Sequence, residues 1–230
     1  MKRAIIFANG ILPYAEAARK LVLPGDWLIA ADGGLRLALS LGFTPELIIG
    51  DLDSAATQDV SRARGMGAEV ELFPREKDAT DLELALRRAQ ESGCDFIRIV
   101  GGLGGRSDHA LANLFLLTDP ALRFVDLRLD DGVEEALVMH DRADITGSPG
   151  DTVSLLPLGG PADGIFTEGL LYPLRGETLL PHRTRGISNE MTGTLATVSL
   201  RTGLLVCVHA RRISGEEEPS EEPLVPVIFH

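Results

Sequence analysis

The sequence predicts an α/β half followed by an all-β half, and three observations carry that prediction. Up to about residue 130, short β-rich apolar runs alternate with amphipathic helical runs. Beyond it the helical periods disappear, and short strand-like runs recur between glycine- and proline-marked turns. In the first half, four successive strand ends carry carboxylates. Ligands bind at the carboxyl ends of strands in parallel sheets.

In order, Ala4–Ala8, Trp27–Ala31, Leu47–Gly50, Glu69–Phe73, Phe96–Val100 and Leu122–Leu127 read as strands. Between them, Tyr14–Leu21, Leu35–Leu41, Ala55–Gly65, Thr80–Glu91 and the run after Arg106 read as helices. In the last, Ala110, Leu111, Leu114, Phe115 and Leu117 share one side. Strands alternating with helices of this length imply βαβ units, hence a mostly parallel, Rossmann-like sheet with flanking helices over residues 1–130. In residues 131–230, strand-like runs are Ala136–Met139, Thr152–Leu156, Gly169–Tyr172, Thr194–Leu200 and Leu204–Val208. They predict a small all-β domain, a β-sandwich or jelly-roll-like unit. Gly215–Pro223 reads as an acidic loop or tail, and Leu224–Phe229 as a last strand or a contact with a partner subunit.

Composition narrows the function. A hydrophobic content of 44% with 24% charged residues fits a soluble globular chain long enough for a proper core. A formal net charge of −12 argues against nucleic acid as a partner, because phosphate backbones are bound by Lys and Arg. Acidic protein and anionic ligand are compatible when a divalent cation lies between them. No apolar run approaches a signal-peptide core or a membrane span, so the expected location is the cytoplasm, with no membrane partner. Cys94 and Cys207 are too few and too far apart for a zinc motif or a disulfide framework, which fits free thiols.

The strand ends hold the candidate chemistry. Asp32-Gly33-Gly34 follows the second strand and Gly50-Asp51-Leu52-Asp53-Ser54 the third. Asp51 and Asp53 are two apart, which sends both carboxylates to one face if the strand conformation continues. Paired carboxylates repel unless a proton or metal neutralises them, and hard oxygen ligands at a phosphate site suggest Mg²⁺. Ser54 is suited to capping the helix beginning near Ala55. After the fourth strand come Lys77, a possible point charge for phosphate, and Asp78, either a metal ligand or part of an exposed charged loop. Thr80 and Glu83 match a capping box, and Asp81 in the first turn complements the helix dipole.

After the fifth strand stand Gly101, Gly102, Gly104 and Gly105, then Arg106, Asp108 and His109. Two readings are open: a tight strand-to-helix connection, or an anion site at a helix N-terminus. The carboxylates on neighbouring strand ends favour the second. Arg106 offers a planar fork to phosphate, and His109 could bond a phosphate oxygen or fix a carboxylate. In the second half, Ser188-Asn189-Glu190 reads as an ordinary turn before a strand.

Taken together, Ala31–Gly34 (ADGG), Gly50–Ser54 (GDLDS), Lys77–Glu83 (KDATDLE), Gly101–Leu114 (GGLGGRSDHALANL) and Gly186–Glu190 (GISNE) resemble the thiamine pyrophosphokinase family in kind and order. The resemblance implies an N-terminal α/β nucleotide domain, a C-terminal β-sandwich and a homodimer. It implies transfer of the pyrophosphoryl group of ATP to the hydroxyl of thiamine, giving thiamine diphosphate and AMP. By the same resemblance Asp51, Asp53 and Asp78 bind Mg²⁺, and Asp81 completes the catalytic set near the reacting hydroxyl. Lys77, Gly101 to Gly105, Arg106, Asp108 and His109 line the ATP site. Asp32 lies near thiamine, with Ser188 and Asn189 reaching it from the β domain across the dimer interface. Where some members carry an aromatic residue on the last β-strand near the thiamine ring, this chain has Leu204-Leu205-Val206-Cys207-Val208. A pyrophosphokinase for another hydroxymethyl heterocycle, such as a pterin, and a non-catalytic nucleotide-binding protein are the alternatives.

Overall fold

The computed structural model describes residues 1–212, so the expectations for residues 215–223 and 224–229 lie outside the described residues. The chain divides into two compact units, the first comprising Met1–Gly132 and the second beginning at Val133.

The first unit is built on six parallel strands: β1 (Arg3–Phe7), β2 (Trp27–Ala31), β3 (Leu47–Gly50), β4 (Glu69–Leu72), β5 (Phe96–Val100) and β6 (Asp126–Asp130). Their spatial order is β6-β5-β1-β2-β3-β4. Every residue of β3 is buried, as is all of β1 after Arg3. Such continuous apolar runs are what a sheet covered on both faces requires. The helices are α1 (Ala15–Arg19), α2 (Gly34–Ser40), α3 (Thr57–Gly65), α4 (Asp81–Glu91) and α5 (Ser107–Leu116). Helix α4 turns Leu82, Ala85, Leu86 and Ala89 inward, the spacing of one helical face.

Topology matters more than the list. From β1 the chain steps outward through β2, β3 and β4, then crosses back to place β5 on the other side of β1. The loops leaving β1 and β5 therefore run in opposite directions, which opens a crevice at their carboxyl ends.

The second unit is antiparallel throughout. Strands β7 (Glu134–Met139), β9 (Thr152–Pro157), β12 (Asn189–Glu190) and β14 (Leu205–Ala210) pair in the order β12-β9-β14-β7. Strands β8 (Arg142–Thr146), β10 (Ala162–Glu168), β11 (Arg175–Leu179) and β13 (Leu195–Ser199) pair as β11-β10-β13-β8. Inward residues of both sets, among them Leu137, Ile145, Val153, Ile165, Leu179, Val198 and Cys207, form one core.

Several expectations are corrected. The predicted strand at Leu122–Leu127 starts at Asp126, because Asp119 accepts a hydrogen bond from Ala121 N–H at 2.9 Å and starts a 3₁₀ turn over Pro120–Leu122. Gly169–Tyr172 contributes only an isolated bridge, Leu170 to Met191. β8, β10 and β11 were invisible because their outward positions mix charged, polar and glycine residues, which blurs the alternation. Ser54 does not cap α3: that helix begins at Thr57, has Ala56 at its N-cap and no side-chain cap. Helix α5 fully buries none of its residues, and Leu111 and Phe115 of the predicted apolar stripe are more than half exposed. Among the described residues no helix is long and apolar enough to cross a membrane.

Candidate active site

The first unit gathers its polar groups where the topology predicts. Only three non-glycine residues in the described chain have positive φ: Asp32 (44°), Leu52 (60°) and Ser188 (55°). Each lies in one of the sequence segments singled out for chemistry. Left-handed backbone at a non-glycine residue is disfavoured by Cβ sterics, and such strain clusters at functional sites.

At the end of β2, Asp32 donates its N–H to Ile49 O at 2.8 Å, which fixes the turn. Its Oδ1 is buried and accepts no hydrogen bond. Burial, with the charges of Asp81 and Asp51 adding to it, raises the pKa of Asp32 above the ordinary carboxylate range. Hydrogen bonds from the Ser54 hydroxyl and the Gly33 amide only partly offset the rise. Next along the sheet, Gly50 has φ 147°, and a Cβ there would lie 3.1 Å from both Asp32 Cβ and Asp81 Cγ. The absent side chain lets the two carboxylates approach over the β3 terminus.

Leu52 then turns the chain so that Asp51 Oδ1 accepts from Asp53 N–H at 3.1 Å. That amide and the Lys77 ammonium outweigh burial and hold the Asp51 carboxyl below its usual range. One carboxylate oxygen each from Asp32, Asp51 and Asp53 lies within 4.8 Å of the others, close enough to share a cation. Asp78, expected as a third metal ligand, stands apart from these three. It is exposed on the β4–α4 loop and outside this group, while Asp32, expected beside thiamine, is inside it.

Lys77 reaches back into the cluster. Its Nζ lies 3.1 Å from Asp81 Oδ1, 3.5 Å from Asp51 Oδ2 and 3.2 Å from Pro74 O. The contact with Asp81 is an ion pair without hydrogen-bond direction, so that buried oxygen also accepts no hydrogen bond. Burial opposes charge on Lys77, but Asp81 and Asp51 together raise its pKa above the normal lysine value. Thr80 caps α4 by accepting from Glu83 N–H at 3.2 Å, whereas the Glu83 carboxylate pairs with Arg87 rather than closing the box.

The glycine loop divides into two parts. Gly101 and Gly102 are buried, and a Cβ on either would collide with Leu37 or Leu129. They serve packing. Gly104 and Gly105, both at φ 77°, are exposed on the loop that leads into α5, and a Cβ on either would meet only Ile11, at 3.4 Å or more. Arg106 grips Asp108 with two bonds, 3.1 and 2.6 Å, and both side chains are more than half exposed. Arg106, aided by His109 N–H, pushes the Asp108 carboxyl down to about 2. His109 itself is exposed.

Sequence reasoning missed the end of β1. A Cβ on Gly10 would sit 2.2 Å from Gly101 O, and one on Gly33 would sit 2.5 Å from Asn9 Cγ. The Asn9-Gly10 loop thus wedges between the glycine loop and the Asp32 turn; the strand-end rule, applied to β1 as well, would have found it. Asn113, which donates to Gly102 O at 2.9 Å, and Arg36, whose buried Nε has no acceptor, were also missed.

In the second unit Ser188 is exposed, and its N–H bonds Ser154 Oγ at 3.0 Å. Asn189, expected to offer its amide to thiamine, is buried and uses that amide internally. Its Oδ1 accepts from Tyr172 N–H (3.0 Å) and Glu190 N–H (2.9 Å), and its Nδ2 donates to Tyr172 O (2.7 Å). Asn189 nevertheless lines an open pocket, together with Tyr172, Leu174, Arg185 and Ile187 among others. On the last strand Leu205, Val206 and Cys207 are buried, so none of them offers a face for stacking.

Residues 18–129 match the family model described as thiamin pyrophosphokinase, catalytic domain, and residues 141–205 that described as thiamin pyrophosphokinase, vitamin B1 binding domain. A thiamine pyrophosphokinase of Bacillus subtilis is 30% identical over 184 residues, 79% of this chain and 86% of the relative. The chain belongs to the thiamin pyrophosphokinase family. Its fold is that of solved family members. The Bacillus subtilis thiamine pyrophosphokinase structure superposes with a TM-score of 0.82 at 28% identity, covering 92% of this chain and 100% of that one. A family protein from Enterococcus faecalis gives 0.78 at 25% identity with the same coverage. The family assignment joins the two halves of the sequence, since each unit carries its own matching model.

Proposed function

We propose that this chain transfers the pyrophosphoryl group of ATP to the hydroxyl of thiamine, giving thiamine diphosphate and AMP. The observation that carries the reading is the group of Asp32, Asp51 and Asp53 beside the β1/β5 crevice that the glycine loop borders. Family membership supports the substrate pair.

The donor set fits magnesium. Three hard carboxylate oxygens lie within reach of one another, and Asp32 Oδ1 is buried without a hydrogen bond. Asp51 and Asp53 would hold the ion, with Asp32 beside them and Asp78 as the further ligand that the family resemblance implies. When bound, Mg²⁺ supplies charge neutralisation for the phosphates. The remaining work falls to the chain itself. The Gly104 and Gly105 amides and the N-terminus of α5 receive phosphate oxygens, and Arg106 exchanges Asp108 for phosphate, with His109 alongside. Asp81, with an unbonded oxygen, takes the hydroxyl proton as the bond to the β-phosphorus forms. Little covalent help is needed, because phosphoryl-type transfers depend on positioning and electrostatics.

Thiamine is a cation, which the acidic cluster attracts. Exposed Ser188 supplies an acceptor contact, and Asn189 holds that loop in shape. Homodimeric assembly follows from the family resemblance. Location in the cytoplasm is supported by the buried free thiols Cys94 and Cys207.

The test is to supply ATP, Mg²⁺ and a panel of hydroxymethyl heterocycles and to measure AMP. Thiamine-dependent AMP with matching thiamine diphosphate is the expected result. AMP formed only with a pterin would move the chain to the pterin reading, and none with any acceptor would leave a nucleotide-binding protein.

A further inference from the structure

We infer that Lys77 is the built-in counter-cation of the carboxylate cluster, and that a divalent cation is admitted by displacing its ammonium. This rests on the pyrophosphotransfer reading and extends it to how the site is loaded.

Three segments converge on the Lys77 ammonium: Asp51 Oδ2 after β3, Pro74 O after β4, and Asp81 Oδ1 in the first turn of α4. The side chains of Lys77, Asp51 and Asp81 are only 14%, 16% and 20% exposed, so water screens these charges incompletely. Four carboxylates (Asp32, Asp51, Asp53 and Asp81) crowd the strand ends; Arg75 lies 3.6 Å from Asp53 but is 83% exposed, and Lys77 is the half-buried cation placed between two of them.

Asp51 belongs both to the group able to share a divalent ion and to the Lys77 pair. An ion bound by Asp51 would therefore stand a few ångströms from the ammonium, and two cations that close in a half-buried cleft repel strongly. The lysine has the means to leave. It precedes α4 on a loop, and its stem is long and flexible. Once displaced, the ammonium needs an anion, and ATP phosphates provide one. Metal and nucleotide then favour each other: the nucleotide receives Lys77, and the vacated carboxylates receive the ion. Such coupling is reciprocal.

The test reads binding rather than turnover. Mn²⁺ is titrated into wild type, Lys77→Met and Lys77→Arg with the free ion followed by electron paramagnetic resonance. Each titration is repeated with a non-hydrolysable ATP analogue. Without nucleotide, Lys77→Met should bind Mn²⁺ at least about tenfold more tightly than wild type, while Lys77→Arg stays within about threefold of it. The analogue should tighten Mn²⁺ binding to wild type and do so much less in Lys77→Met. Equal Mn²⁺ affinity in wild type and Lys77→Met, or Lys77→Arg binding as tightly as Lys77→Met, overturns the counter-cation role while the metal reading stands. No Mn²⁺ binding by any of the three, with or without the analogue, overturns both.

Discussion

Each unit holds a cluster of carboxylates, and the two clusters are satisfied in opposite ways. In the first unit Asp32, Asp51, Asp53 and Asp81 crowd the strand ends, and two of their oxygens are buried with no hydrogen bond. In the second, Glu135 and Asp151 flank His209, which is fully buried with each ring nitrogen 3.0 Å from a carboxylate oxygen. There Asp151 also accepts from the Arg212 and Ser148 amides at 2.8 Å, and Arg211 lies 3.2 Å from Glu135. Neither carboxylate of that cluster contributes an unbonded buried oxygen among the described residues. Buried acceptors are costly unless paired, so a saturated cluster marks architecture and an unsaturated one marks a place for a ligand. Changing the first should cost activity; changing the second should cost stability.

The largest effect is expected at His209. Each ring nitrogen faces a carboxylate oxygen at 3.0 Å, and His209→Ala leaves both carboxylates facing a hole. Breaking a buried charged network by removing one partner costs about 3–5 kcal/mol. Chemical unfolding should register that loss. A change below about 1 kcal/mol would mean the cluster is not structural. Acid should act on the same cluster. Burial raises the Asp151 pKa, but the Arg212 and Ser148 amides and His209 outweigh it and leave a net depression. A depressed folded pKa contributes stability present above the unfolded value, lost as pH falls through the folded one. The Asp151 contribution is therefore whole above about pH 4 and fades below it, and Asp151→Asn should flatten that acid limb of the stability curve.

Asp51→Asn should give the reverse pattern. On the proposal that Asp51 holds Mg²⁺, losing a ligand to the ion that neutralises transition-state charge costs on the order of 3 kcal/mol, about a hundredfold in kcat/KM. Stability should move by less than about 1 kcal/mol, since the substitution also relieves repulsion within a like-charged group. Unimpaired turnover at saturating Mg²⁺ would remove Asp51 from the reacting site.

How much of this was legible follows from the range of the interactions. The parallel sheet could be read because β3 and β1 after Arg3 are continuous apolar runs and β5 is one broken only by Arg98, and periodicity is local. The strand-end residues could be read because topology fixes where such ends point. What escaped was long-range. Glu135, Asp151 and His209 lie far apart in sequence and meet through the β7-β14-β9 register, where His209 stands opposite both Glu135 and Val153. Asp32 joining Asp51 and Asp53 depends on the β2–β3 pairing and on a missing side chain at Gly50. The hydrogen bonds of Asn189 to Tyr172 escaped as well, because its spacing says only "turn" and that partner is 17 residues away.

Asn189 tests the comparison within one loop. Asn189→Ala removes the bonds to both backbone groups of Tyr172 and to Glu190 N–H, which should cost about 1–3 kcal/mol of stability. Its effect on thiamine should come with that loss. Ser188→Ala, at an exposed position, should raise the thiamine KM while moving stability by no more than about 0.5 kcal/mol. If Asn189→Ala instead raises the thiamine KM with stability intact, the amide contacts the substrate directly.

The smallest effect is expected at Thr80, where a structural device sits one residue from Asp81, the proposed proton acceptor. Its hydroxyl accepts from Glu83 N–H and so ends α4 with one amide satisfied. No reciprocal bond from Glu83 reinforces it, because that carboxylate turns to Arg87. Thr80→Ala should therefore cost about 1 kcal/mol, the usual value for a lost cap, and Thr80→Ser very little. Asp81 opens the turn this cap holds, so fraying should also loosen the Lys77–Asp81 pair. A fall in kcat of less than about tenfold should accompany the stability loss, because modest misplacement of a positioned group erodes rather than abolishes catalysis. Unfolding midpoints and kcat measured together on the Ala and Ser variants decide the matter. Stability unchanged in Thr80→Ala with turnover abolished would show that the hydroxyl serves the ligand and not the helix, and Thr80 would move to the first of the two clusters.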